Sequence, residues 1–104
     1  YFGWALVGPS KNNHKEIVRH LLTFIKKNKI TINPLYFGWA LRDASGGGHK
    51  EIVERLLIFM KKNNTTINPY HFGWALTGAS EKGHKEIVDL LKEYNHRDSG
   101  CIIL

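Results

Sequence analysis

The chain has 104 residues, of which 42% are hydrophobic and 23% are charged, and its formal net charge is +6. This length and composition predict one globular unit with a single modest core. The single cysteine excludes a disulfide framework, and every apolar stretch is shorter than the ~18 residues that a membrane-spanning helix needs.

The sequence repeats itself with a period of 35 residues. Two strings recur in the same phase, an aromatic-Phe-Gly-Trp-Ala-Leu string and a His-Lys-Glu-Ile-Val string. They begin at Tyr1, Tyr36 and His71, and at His14, His49 and His84, respectively. Such a period is typical of stacked repeat proteins. The predicted domains are three units, 1–35, 36–70 and 71–95, and a flexible tail, 96–104.

Each unit begins with a predicted helix, which is clearest in the middle unit. Asn33 and Pro34 indicate its start, because Asn caps helices well and Pro at the first position loses no hydrogen bond. Apolar residues then recur at helical spacing. They are Phe37, Ala40, Leu41 and Ala44. Three glycines, 46–48, predict a turn after this helix.

A second helix is predicted from His49 to Lys62, with Lys61 and Lys62 where the helix dipole favours cations. Its apolar residues are Ile52, Val53, Leu56, Leu57 and either Met60 or Phe59. The segment 63–66 ends this helix, and Asn68-Pro69 starts the next cycle. One such hairpin cannot bury its own apolar face, so we predict an all-α stack of hairpins.

The segment ALRDASGGGHKEIVERLL, from Ala40 to Leu57, resembles the ankyrin repeat, and the resemblance covers 1–95. It implies an ankyrin-type solenoid of stacked helix-turn-helix repeats that binds other proteins. The family's Thr-Pro-Leu-His is here Trp-Ala-Leu followed by a variable residue. The unit also has 35 residues rather than about 33, so we predict a longer second helix and shortened finger loops.

The two ends of the array differ in the predicted second helices. Lys92 and Glu93 stand where the middle unit has Leu57 and Ile58, so we predict that the third unit is a C-terminal cap. The first unit keeps the apolar residues Leu22, Phe24 and Ile25. We therefore expect a chain that is the C-terminal part of a longer array, with Phe2, Leu22 and Ile25 exposed at its first unit.

Three histidines, His14, His49 and His84, recur in phase. Packed helices lie about 10 Å apart, whereas metal ligands reach one ion over bonds of about 2 Å, so these residues cannot share an ion. We assign them a structural role at the start of each second helix. Since no catalytic triad, carboxylate pair or phosphate-binding loop is recognisable, we predict no enzymatic activity, no metal and no cofactor.

The tryptophans allow two interpretations. Either the row lines a binding groove, where aromatic residues are common hot spots, or each Trp wedges between neighbouring repeats. Residues beside the row that differ between units are the better candidates for selectivity. The candidate partner-binding residues are Trp4, Val7, Trp39, Arg42, Asp43, Trp74 and Thr77.

The positive charge is graded along the chain, at +5 in 1–35, +2 in 36–70 and −1 in 71–104. No alternation of aromatic and basic residues accompanies it, so we do not expect nucleic acid as a partner. The dipoles of the second helices and solubility account for much of the excess; the alternative is a membrane-facing basic edge. That edge consists of Lys26, Lys27, Lys29, Lys61 and Lys62.

The chain ends in Cys101-Ile102-Ile103-Leu104, which matches the C-a-a-X prenylation signal, and the final Leu favours geranylgeranyl. The other interpretation is an apolar tail that folds back onto the third unit. The sequence thus predicts a non-catalytic scaffold for a protein partner, cytoplasmic and tethered to the cytoplasmic face of a membrane. Two alternatives stay open: a targeting module of a larger enzyme or effector, and a soluble adaptor without lipid.

Overall fold

A computed structural model of the chain describes residues 2–99, with the side chains of 3–94. These residues form helices and connecting turns, with no strand among them. The helices are α1 (Phe2–Lys11), α2 (Lys15–Lys27), α3 (Pro34–Gly46), α4 (Lys50–Lys62), α5 (Pro69–Glu81) and α6 (Lys85–Ser99). The fold of this part of the chain is therefore all-α, as predicted.

The helices α3 and α5 begin where the repeated Asn-Pro pair predicts. The Asn33 side chain accepts a hydrogen bond from the Leu35 amide at 2.9 Å, and Pro34 occupies the first turn of α3. Asn68 caps α5 in the same way through the Tyr70 amide at 2.8 Å. Each cap satisfies an amide that would otherwise lack a partner, so the Asn-Pro pair sets the start of the first helix.

The six helices form two layers. Helices α1, α3 and α5 pack side by side in one layer, and α2, α4 and α6 form the other. Each helix also packs on its partner in the same unit, so the core lies between the layers. The fully buried core residues include Leu6, Val18, Ala40, Leu41, Ile52, Val53, Leu56 and Leu91. The helical spacing of the apolar residues predicted this core correctly in the middle unit.

Two predictions about the ends of the chain are wrong. Residues 96–99, which we assigned to the flexible tail, continue α6, because neither Gly nor Pro interrupts the chain between Lys85 and Ser99. Leu22 and Ile25 are 7% and 3% exposed, because α2 turns both side chains inward. The Phe2 side chain and residues 100–104, Cys101 included, lie outside the described part.

The two polar residues that distinguish the second helix of the third unit lie on the surface. Lys92 is exposed, whereas Leu57 is 6% exposed at the equivalent position of the middle unit, and Glu93 is exposed like its equivalent Ile58. Within residues 2–99, no helix is long and apolar enough to cross a membrane.

Candidate functional site

The strongest candidate site is a continuous row of aromatic side chains on the first helices. Trp4 on α1 and Trp39 on α3 have ring centroids 5.2 Å apart, with their planes tilted by 33°. Tyr36 lies edge-on to both, at 5.5 Å from Trp4 and 5.4 Å from Trp39. Centroid distances of this kind are favourable for aromatic pairs and add about 0.5–1.5 kcal/mol each to simple burial.

The row continues onto α5. His71 packs edge-on against Trp39 at 6.3 Å and against Trp74 at 5.8 Å. The Arg42 guanidinium lies 5.5 Å from the Trp74 ring centroid, which is a cation–π contact. We call Trp4, Tyr36, Trp39, His71 and Trp74 the aromatic row.

Glycine on one first helix makes room for an aromatic ring from the next. A Cβ added to Gly3 would overlap the Tyr36 ring, and a Cβ added to Gly38 would lie 2.8 Å from the His71 ring. Any other residue at these positions would force the ring or its helix to move. The repeated Gly-Trp pair therefore places a ring and an indole next to each other at each junction between units.

The exposure of the three indoles agrees with a wedge at Trp39 and with a solvent-facing surface at Trp4 and Trp74, the two interpretations that the sequence left open. Trp39 is half-buried and contacts rings of both neighbouring units, as a wedge would. Trp4 and Trp74 are 56% and 52% exposed, so the ends of the row present large aromatic surface to solvent. Exposed large aromatic residues in a contiguous patch are uncommon on a surface without a binding role.

The variable positions beside the row differ in what they present. Thr77 is exposed. Arg42 is half-buried, and its Nε lies 3.3 Å from Asp43 Oδ1. Val7 is only 9% exposed, so its inclusion among the contact residues is wrong. Burial of this apolar β-branched side chain is favourable, which leaves the first unit without a variable contact at this position.

Sequence reasoning missed Tyr36 and His71 as members of the row. The signal was available, because a glycine repeated within a helical pattern indicates close approach of another group. His71 is buried, and its Nδ1 has no hydrogen-bond partner among the described residues. This burial, and secondarily the positive charge of Arg42, lowers the pKa of His71 below its ordinary value of 6.5.

The in-phase histidines lie at the starts of the second helices. His49 precedes α4, and its Nε2 donates a hydrogen bond to the Lys11 carbonyl of the preceding unit at 2.9 Å. His84 packs on Gly48, where an added Cβ would lie 2.7 Å from the imidazole ring. Among the described residues, no three His, Cys, Asp or Glu side chains are grouped to hold a metal ion.

The predicted basic edge lies on the other layer. Lys26 and Lys27 are in the last turn of α2, and Lys61 and Lys62 are in the last turn of α4. Lys29 follows α2 in the loop, and all five lysines are exposed. The aromatic row and the basic edge therefore belong to different helical layers and do not form one site.

Comparisons with protein-family models, with curated proteins and with solved structures found no match for this chain.

Proposed function

We propose that this chain is an ankyrin-type repeat scaffold that binds a protein partner and carries out no catalysis. The observation that carries the proposal is the aromatic row, which ends in two exposed indoles on the first-helix layer. Aromatic and Arg side chains are the residues most enriched at the centres of protein interfaces. The ankyrin-type arrangement is supported by two helical layers built from three in-phase units.

The partner-binding side is inferred from the candidate partner-binding residues that solvent reaches. Trp74 and Arg42 lie in contact, and Thr77 is exposed one helical turn after Trp74. Together they offer apolar area, one cation and one hydroxyl to a partner. Because the units are held together by ring contacts, this surface is rigid before binding, which reduces the entropy lost on association.

The test compares partner capture by the parent chain and by surface variants in eukaryotic lysate. Trp74→Ala and Arg42→Glu should each remove the captured protein, while circular dichroism shows that the helices are retained. Lys27→Glu is the matched control, because it reverses an exposed charge on the other layer. If Lys27→Glu abolishes capture while Trp74→Ala and Arg42→Glu do not, the first-helix layer is not the binding side.

The proposal includes a tether to a cytoplasmic membrane surface, supported by the C-a-a-X match of Cys101-Ile102-Ile103-Leu104. A single lipid on Cys101 would bind a membrane reversibly, since stable attachment usually needs a second signal. The exposed lysines of the basic edge would supply it, at about 1 kcal/mol for each cation near an anionic leaflet. Without the lipid, the same chain is the soluble adaptor.

Mass spectrometry of the chain recovered from a eukaryotic cell tests the tether directly. We expect a geranylgeranyl adduct on Cys101 and a membrane fraction that Cys101→Ser releases to the cytosol. Lys26→Glu combined with Lys62→Glu should weaken membrane association without changing the adduct. If Cys101 is unmodified and Cys101→Ser divides between cytosol and membrane as the parent chain does, the tether is wrong and the soluble adaptor is the function that stays.

A further inference from the structure

The two junctions between neighbouring units use the same chemistry. At the first junction the Tyr36 ring covers Gly3, and Lys15 Nζ lies 3.3 Å from Glu51 Oε1. The second junction uses the residues 35 positions later, which are His71, Gly38, Lys50 and Glu86, with Lys50 Nζ 3.4 Å from Glu86 Oε1. One side of every junction thus supplies a glycine and a lysine, and the other side supplies a ring and a glutamate.

The first unit exposes the described residues of the side that supplies the glutamate. Ile17 is 48% exposed, whereas Ile52 and Ile87 at the same position of the later units are 0% and 2% exposed. Ala5 is exposed although its equivalents in the later units are fully buried, and Glu16 stands where Glu51 and Glu86 form ion pairs. We call Ala5, Glu16 and Ile17 the head face.

The third unit exposes the glycine-and-lysine side. A Cβ added to Gly73 would meet no atom of the described residues within 4 Å, unlike one added to Gly3 or Gly38. Ser80 is exposed, whereas Ser10 and Ser45 are fully buried at the same position. Lys85 occupies the position of the two junction lysines. We call Gly73, Ser80 and Lys85 the tail face.

We propose that copies of this chain associate head to tail, the tail face of one copy receiving the head face of the next. The occupant is a second copy because each face presents the positions that complete a junction with the other. Lys85 would pair with Glu16, whose carboxylate is exposed and is held at 2.6 Å by Arg19 of its own helix. The two end segments that would meet carry net charges of opposite sign, +5 in 1–35 and −1 in 71–104.

The association is reversible and has no built-in end. Lys92 is exposed where Leu22 and Leu57 are 7% and 6% exposed, so the tail face lacks one apolar contact of a complete junction. A head-to-tail contact that does not close into a ring adds copies one after another. This inference concerns the ends of the stack and does not rest on partner binding by the aromatic row.

Sedimentation equilibrium of the unmodified 104-residue chain measures the association. The weight-average mass should rise steadily with concentration above the 11.9 kDa of one chain, without stopping at a dimer. A mass that stays at one chain at every concentration, or a closed dimer, overturns the proposal. In the first case the end faces would belong to further repeats of a longer polypeptide or to another protein.

Gly73→Ala places a methyl group where the next copy must approach, so we expect association at least about tenfold weaker. Folding should not suffer, because the site is open and Ala is the better helix former. Gly46→Ala is the matched control, since Gly46 is also helical and open but lies in the middle unit. Equal association by the two variants contradicts the proposed tail face.

A charge exchange tests the direction of the contact. Lys85→Glu and Glu16→Lys should each associate more weakly than the parent chain, because like charges then meet at the junction. An equimolar mixture of the two should associate more strongly than either variant alone, since a Lys–Glu pair then forms at each contact between different variants. Lys27→Glu should have no effect beyond net charge, because its equivalent Lys62 stays exposed in the middle unit. A mixture no heavier than its components rules out head-to-tail pairing.

Discussion

At the scale of single residues, the glycine of the repeated Phe-Gly-Trp string determines how closely the first helices approach. Gly is unfavourable within a helix by about 0.5–1 kcal/mol relative to Ala, so its use there needs a compensating contact. The ring of Tyr36 on Gly3 and the ring of His71 on Gly38 are that contact. Each of these contacts buries aromatic surface against the glycine, and a Cβ at that position would prevent the contact.

His71 makes the stability of the chain depend on pH. Its pKa is lowered in the folded chain, first by burial and second by Arg42, so the unfolded chain binds this proton more readily. The contribution of neutral His71 is fully present above about pH 6.5 and is lost as the pH falls through the folded pKa. Urea unfolding midpoints measured across this range should therefore decrease toward low pH.

The substitution His71→Tyr should reduce that decrease. Tyr is the natural residue at the equivalent position 36, where its ring packs on Gly3, so the replacement fits the junction and does not titrate in this range. His20→Tyr, at an exposed position of α2, controls for the loss of one imidazole. The assignment is wrong if His71→Tyr retains the parent pH dependence.

At the scale of the helices, the Asn-Pro pair determines where each first helix begins. Asn33→Ala removes the acceptor for the Leu35 amide and should lower the free energy of unfolding by about 0.5–2 kcal/mol. Asn33→Asp keeps an acceptor and adds a negative charge at a helix N-terminus, so stability should be retained. Thermal and urea unfolding of the parent chain, Asn33→Ala and Asn33→Asp would measure the order of their stabilities.

The equivalent pair at α5 provides an independent comparison. Asn68→Ala removes the bond to the Tyr70 amide and should cost a similar amount, since the cap geometry is the same. Thr66→Ala, an exposed change in the preceding loop, should be nearly neutral. Similar stabilities for Asn68→Ala and Thr66→Ala would show that the cap contributes little.

At the scale of the whole molecule, the middle unit differs from both ends in what covers it. Ile52 and Ser45 are fully buried because α4 and α3 have neighbours on both sides, while Ile17 and Ser80 are exposed at the ends. Each unit packs mainly on its neighbours, so the core between the layers is continuous from unit to unit and depends on the junctions. The Lys15–Glu51 and Lys50–Glu86 pairs are exposed and contribute mainly orientation.

The sequence by itself determined the all-α class, the period of the units and the starts of the first helices. Those features follow from local chemistry: Asn and Pro at a helix start, glycines at a turn and apolar residues at helical spacing. The prediction of a flexible tail is wrong at 96–99, which continue α6. A polar composition does not end a helix when no Gly or Pro interrupts it.

Only the tertiary structure decided which repeated residues are covered and which are exposed. Trp39 is half-buried while Trp4 and Trp74 are open, although all three stand in the same string. The pairing of Tyr36 with Gly3, and of His71 with Gly38, likewise joins residues from different units. Exposure and ring contacts depend on the neighbouring unit, and a single position in a repeat carries no information about whether that neighbour is present.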